Sequence, residues 1–142
     1  MADAPRIVVE VTVDAPVEEA WKGFTDPEAV KGWNFASADW CCPAASSELR
    51  EGGSFSYRME ARDGSMGFDF GGTFTQVRPP EALGYVLGDG RRVSVEFARQ
   101  GRQTRVREAF DAEAVNPAER QRSGWQAILD NYKKYVEGNR PR

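Results

Sequence analysis

The chain of 142 residues contains no histidine. That absence removes Ser-His-Asp and Cys-His nucleophile systems, histidine-containing zinc sites and a histidine general base. Cysteine is nearly absent too: the only two, Cys41 and Cys42, are adjacent. Neighbouring cysteines reach disulfide geometry only with strain, and two thiols cannot complete a structural zinc site. We therefore expect a reduced, cytoplasmic protein with no metal and no cofactor. No apolar run approaches the roughly 20 residues of a membrane span, and the opening MADAPR lacks the apolar core of a signal peptide. Excess positive charge is lacking as well. With 19 Lys+Arg against 22 Asp+Glu the net charge is −3. Such a chain has no electrostatic footprint for nucleic acid or for an anionic membrane surface.

What remains is the balance of a globular protein, with 40% hydrophobic and 29% charged residues. The length predicts one domain over residues 1–142. Residues 6–13 (RIVVEVTV) are β-branched and alternating, the pattern of a strand. Asp14-Ala15-Pro16 predicts a helix start, with Asp14 or Ala15 as cap and Pro16 at the first helical position. Thr25-Asp26-Pro27 ends this helix and starts a short second one, through about Gly32. Residues 33–43 look irregular and aromatic. Period-two alternation follows in Phe55, Tyr57, Met59 and Ala61, then in Phe68, Phe70, Gly72 and Phe74. It returns in Val93, Val95 and Phe97, and again in Val106, Glu108 and Phe110. Asp63-Gly64, Asp89-Gly90 and Gly101 mark turns between these runs. Consecutive hairpins imply an antiparallel sheet.

The last segment reads as one long helix. Asn116 serves as cap, Pro117 takes the first helical position and Glu119 the third. Gln121, Trp125, Ile128, Leu129, Tyr132, Tyr135 and Val136 recur at helical spacing, and Gly138 is the stop. About 20 helical residues span about 30 Å, enough to cross a whole sheet. The order predicts an α+β fold. A curved antiparallel sheet of six to seven strands wraps a long C-terminal helix, with two short helices after the first strand. Each layer has one apolar face, and each covers the other.

Several residue groups carry a resemblance to a known family. Val13-Asp14-Ala15-Pro16, Ala20-Trp21 and Phe24-Thr25-Asp26-Pro27 open the set. Trp33-Asn34, Asp39-Trp40, Leu49-Arg50-Glu51-Gly52-Gly53 and Tyr57-Arg58-Met59-Glu60 continue it. Gly72-Thr73-Phe74 with Val77 and Pro79, then Gly124-Trp125 and Leu129-Asp130-Asn131, complete it. In this order and spacing the chain resembles the START-like, or SRPBCC, helix-grip superfamily over about residues 6–137. Within it the chain is similar to the bacterial branch related to the C-terminal domain of the activator of the heat-shock-protein-90 ATPase. The resemblance implies a cavity between long helix and sheet that holds an apolar molecule. It brings no fixed catalytic set, so no catalytic residue is assigned.

Strand parity and helix spacing predict that Phe55, Tyr57, Phe70, Val95, Trp125 and Tyr132 border one pocket, with Glu108 facing into it. The same aromatic side chains would also serve as ordinary core. Glu108 shares the parity of Val106 and Phe110, so its carboxylate should face the helix. Burial without a partner is costly and raises a carboxyl pKa. It is then a polar anchor or acid/base group in the cavity, one half of a salt bridge, or an edge residue reached by water. No cation flanks Cys41 or Cys42 to activate a thiol. Gly52-Gly53 lacks the Gly-Lys-Ser/Thr of a phosphate loop and reads as a bulge or turn. Gly124 inside a helix suggests close backbone packing at the cavity end.

These readings lead to a small soluble binding protein for a hydrophobic or amphipathic small molecule. One alternative is a cyclase- or hydratase-type enzyme using the cavity acid. Another is a co-chaperone-like protein-binding module working through the outer sheet face. A homodimer stands among the assemblies left open.

Overall fold

The computed structural model describes residues 6–138. Seven strands form one antiparallel sheet: β1 (Arg6–Val13), β2 (Trp40–Ser47), β3 (Ser54–Ala61), β4 (Gly67–Arg78), β5 (Ala82–Leu87), β6 (Arg92–Gln100) and β7 (Gln103–Asp111). Two short helices, α1 (Val17–Thr25) and α2 (Pro27–Val30), follow β1, and α3 (Ala118–Gly138) closes the fold. The sheet order is β1-β7-β6-β5-β4-β3-β2. Strands β2 to β7 are therefore a meander of hairpins, and β1 returns to pair with β7 along its whole length. The turns use glycine where the backbone must turn left-handed: Gly64 (φ 78°) and Gly90 (φ 92°) occupy the two Asp-Gly turns.

One sheet face carries Val9, Val11 and Val13 of β1, Leu83, Tyr85 and Leu87 of β5, Val93, Val95 and Phe97 of β6, and Val106 and Phe110 of β7, all buried. The 21-residue α3 lies over this face. It also covers the exposed edge of β1, whose outward carbonyls would otherwise lack donors. Gln126 Nε2 donates to Glu10 O (3.2 Å) and Lys133 Nζ to Thr12 O (2.6 Å). Helix α1 fills the space beside the C-terminal half of α3. There Tyr132 packs edge-on against Phe24 and Trp33, and those two rings tilt against each other, all with centroids 5.2–5.3 Å apart.

Four local expectations need correction. Residues 40–43 are not irregular but begin β2. Its pairing with β3 shifts register between Cys41 and Ala44, so Pro43 sits at a bulge of an edge strand where no N–H is demanded. The cap of α1 is Pro16 itself, without a side-chain cap bond; its carbonyl accepts from Ala20 N. Asp14 instead donates its N–H to Glu137 of α3 (2.8 Å). Helix α3 starts at Ala118, and the turn before it is stapled by buried Gln121, not by Asn116. Gln121 Nε2 donates to Asn116 O (2.7 Å) and Glu113 O (3.1 Å), and its Oε1 accepts from Glu113 N (2.9 Å). Gly124 has no close backbone neighbour: a Cβ there would meet nothing within 4 Å.

Candidate functional site

Between α3 and the sheet lies a cavity of about 60 Å³. Trp125, Ile128 and Leu129, at helical i, i+3 and i+4 positions, form its roof. Tyr57 and Met59 of β3, Phe70 of β4, Tyr85 of β5 and Glu108 of β7 form its floor, and Phe24, Trp33 and Asn34 close one side. That side is held by short-range bonds after α2. Asn34 N donates to Val30 O (3.0 Å), and Asn131 Nδ2 of α3 donates to Phe35 O (2.6 Å).

Glu108 reaches the cavity because β7 alternates strictly: Thr104, Val106, Glu108 and Phe110 point inward. Its partners across the ladder are Val9 on β1 and Val95 on β6, so its flanks are aliphatic. The side chain is 6% exposed. Burial alone pushes its carboxyl from 4.5 up to about 8. No cation or hydrogen-bond donor among the described residues offsets that burial. The salt-bridged alternative is thereby excluded within residues 6–138.

Three further polar groups share the space. Burial raises the Tyr85 phenol well above its ordinary range, and the charges of Glu108 and Tyr57 add to the effect. Burial likewise raises Tyr57, with a smaller contribution from Cys42. Asn34 is 6% exposed, and its Nδ2 has no hydrogen-bond partner. Its amide lies near enough to Cys42 to favour a thiolate there, but burial dominates and the thiol is pushed up. The Cys42 thiol donates to Ala44 O (3.6 Å). At neutral pH the cavity offers two phenols, a protonated carboxyl and a carboxamide, and the Cys42 thiol beside Asn34 keeps its proton.

Of the residues expected at one pocket, Tyr57, Phe70, Glu108 and Trp125 line it. Phe55, Val95 and Tyr132 do not. Phe55 is buried one layer away, against Tyr57, Phe74 and Tyr85. Val95 is fully buried beside Glu108 in the sheet ladder. Tyr132 lies a turn further along α3, under α1, where its hydroxyl donates to Ala20 O (2.6 Å). Its phenol is committed to the fold. Phe68 shares parity with Phe70, yet it is 46% exposed, in the first part of β4 that pairs with β3 but not with β5. Tyr85 and Asn34 were not anticipated. Tyr85 could have been found from the parity of Leu83 and Leu87; Asn34 sits in a loop without period.

The comparison with known families is decided by the match of the Activator of Hsp90 ATPase homolog 1-like protein model to residues 14–137. The chain belongs to this family. A solved AHSA1-like protein from Aeromonas hydrophila is 44% identical, with a TM-score of 0.90, covering 94% of this chain and 93% of that one. Chr148 from Cytophaga hutchinsonii is 47% identical over the same shares, at a TM-score of 0.81. Protein NE0264 from Nitrosomonas europaea, at 19% identity and a TM-score of 0.81, covers 95% of this chain and 96% of that one and shares the fold. No curated protein matches the chain. The helix-grip fold of this AHSA1-like chain commonly encloses a ligand cavity. Among the described residues no helix is long and apolar enough to cross a membrane, and no three metal-ligating side chains converge.

Proposed function

We propose that this AHSA1-like chain is a cytoplasmic binding protein for a small hydrophobic or amphipathic molecule, held between α3 and the sheet. The observation that carries this reading is the pairing of an apolar wall with unsatisfied polar groups. The Glu108 carboxyl and the Asn34 amide are both buried and both line one cavity; no charge or hydrogen bond offsets the burial of Glu108, and Asn34 Nδ2 donates no hydrogen bond. Leaving such groups unpaired costs stability. A guest that supplies their partners would recover that cost.

The cavity is small in its closed form. At about 60 Å³ it lies below the ~150 Å³ of an apolar cavity that admits benzene. Trp125 is the wall that separates it from an open surface groove bordered by Arg91, Arg120 and Gly124. Swinging the indole into that groove, beside the unobstructed Gly124, would join the two spaces. A second reading has one observation in its favour: a carboxyl that keeps its proton to about pH 8 suits a general acid near neutral pH. Cyclase- or hydratase-type chemistry would then use Glu108.

Native mass spectrometry of the protein purified from its own source tests the binding reading. The expected result is a non-covalent small-molecule adduct, lost on denaturation and absent from Ile128→Trp, which fills the cavity. Bare protein mass in both would contradict it.

A further inference from the structure

Every polar side chain lining the cavity can donate a hydrogen bond at neutral pH. Tyr57 and Tyr85 are phenols whose burial keeps them protonated. Asn34 presents an Nδ2 without an acceptor. Glu108, buried among Val9, Val95 and the α3 roof, holds a proton and has no cation beside it. A cationic guest would have to ionise Glu108 and bury both charges among apolar walls, at a desolvation cost that their attraction must repay. An anionic guest would need a positive charge, and no Lys or Arg lines the cavity. An uncharged acceptor oxygen is the group that satisfies these donors without burying net charge. Around them the walls are rings and aliphatic chains, with Trp125, Phe70 and Trp33 offering flat surfaces.

Resting on the binding reading above, we propose that the cavity selects a neutral, largely apolar molecule carrying a carbonyl oxygen, seated with that oxygen toward Glu108 and Tyr85. Glu108 is the discriminating residue. As an acid it donates to the carbonyl; as a carboxylate it repels it. The groups facing Glu108 are Tyr85 from β5, Tyr57 from β3 and Asn34 from the loop after α2. The facing residues of β1, β6 and α3 — Val9, Val95, Trp125 and Leu129 — do not titrate. Selectivity between a carbonyl and its hydrocarbon counterpart should therefore follow one titration.

The test uses acetophenone and α-methylstyrene, which differ in C=O against C=CH₂. Binding is followed through the methyl signals of Met59, Ile128 and Leu129 in ¹H–¹³C spectra at pH 6.5 and pH 9.5. At the lower pH acetophenone should bind tighter by about fivefold, the value of one net hydrogen bond. At the higher pH that preference should vanish. Glu108→Gln, which keeps an N–H donor at both pH values, should retain it throughout, and Glu108→Leu, with only the neutral donors left, should show a smaller preference that no longer changes with pH. Equal binding of the two probes at pH 6.5, or a preference unchanged at pH 9.5 in the parent, overturns the carbonyl assignment and leaves the binding reading standing. Methyl signals unmoved by either probe overturn both.

Discussion

The indole of Trp125 lies flat on the ring of Phe110, with centroids 3.9 Å apart and planes 11° apart. This stack joins α3 to the inward face of β7, two residues beyond Glu108, and Trp125 lines both the cavity and the surface groove. Trp125→Ala removes both the stack and the wall. We expect a loss of about 2–3 kcal/mol in urea unfolding, less than for a fully buried tryptophan because Trp125 is only partly covered. Exchange of a bound aromatic probe should also become faster, read from NMR line widths.

Glu108 makes stability depend on pH in an unusual direction. Its proton is held to about pH 8 in the folded chain, against 4.5 for an ordinary glutamate. Between those values the folded state binds more protons than the unfolded state, so this contribution falls as pH rises and levels off above about 8. The ceiling of the total fall is about 5 kcal/mol. Glu108→Gln lacks the titration. Urea unfolding at pH 5, 7 and 9 should show the variant gaining on the parent at each step; equal curves at all three would contradict the buried acid.

Glu137 works in the opposite sense. Burial raises its pKa, but the Lys133 ammonium (2.8 Å), the Asp14 N–H (2.8 Å) and the Lys133 charge together outweigh it and lower the pKa. Its contribution is present above the ordinary carboxylate range and is lost as pH falls through the lowered folded value. Since the group is partly exposed, Glu137→Gln should cost about 1 kcal/mol at neutral pH. Parent and variant should converge in acid, measured by thermal unfolding from pH 7 to pH 3.

Gly72 marks a place where two backbones touch. A Cβ at this position would stand 2.1 Å from Val86 O, a backbone atom of the neighbouring strand that cannot swing aside. Gly72→Ala should cost about 2 kcal/mol or more, whereas Gly124→Ala, with open space around it, should be neutral or stabilising by up to about 1 kcal/mol. Chemical denaturation of the two variants separates these cases.

The sheet was legible because its signals are local. Phe55-Tyr57-Met59, Val93-Val95-Phe97 and Val106-Glu108-Phe110 alternate, and Asp-Gly pairs sit at the turns between strands. Glu108's inward aim followed from parity alone. Parity names a face, however, not a position along it. Phe55 and Val95 point the same way as Tyr57 and Glu108 yet meet packed neighbours instead of space. Tyr132 shares the α3 stripe with Trp125, but α1 covers that turn. Asn34 was hidden for a different reason: its placement depends on the bonds of the turn after α2 and on Asn131, 97 positions later.

The account turns on one carboxyl that is neutral and unpaired inside an apolar cavity. The direct measurement is the pH titration of the Glu108 side-chain carboxyl carbon by ¹³C NMR, assigned by its disappearance in Glu108→Gln. The account predicts a midpoint of about 8. A midpoint in the ordinary range near 4.5 would mean that Glu108 is solvated or paired, and would contradict it.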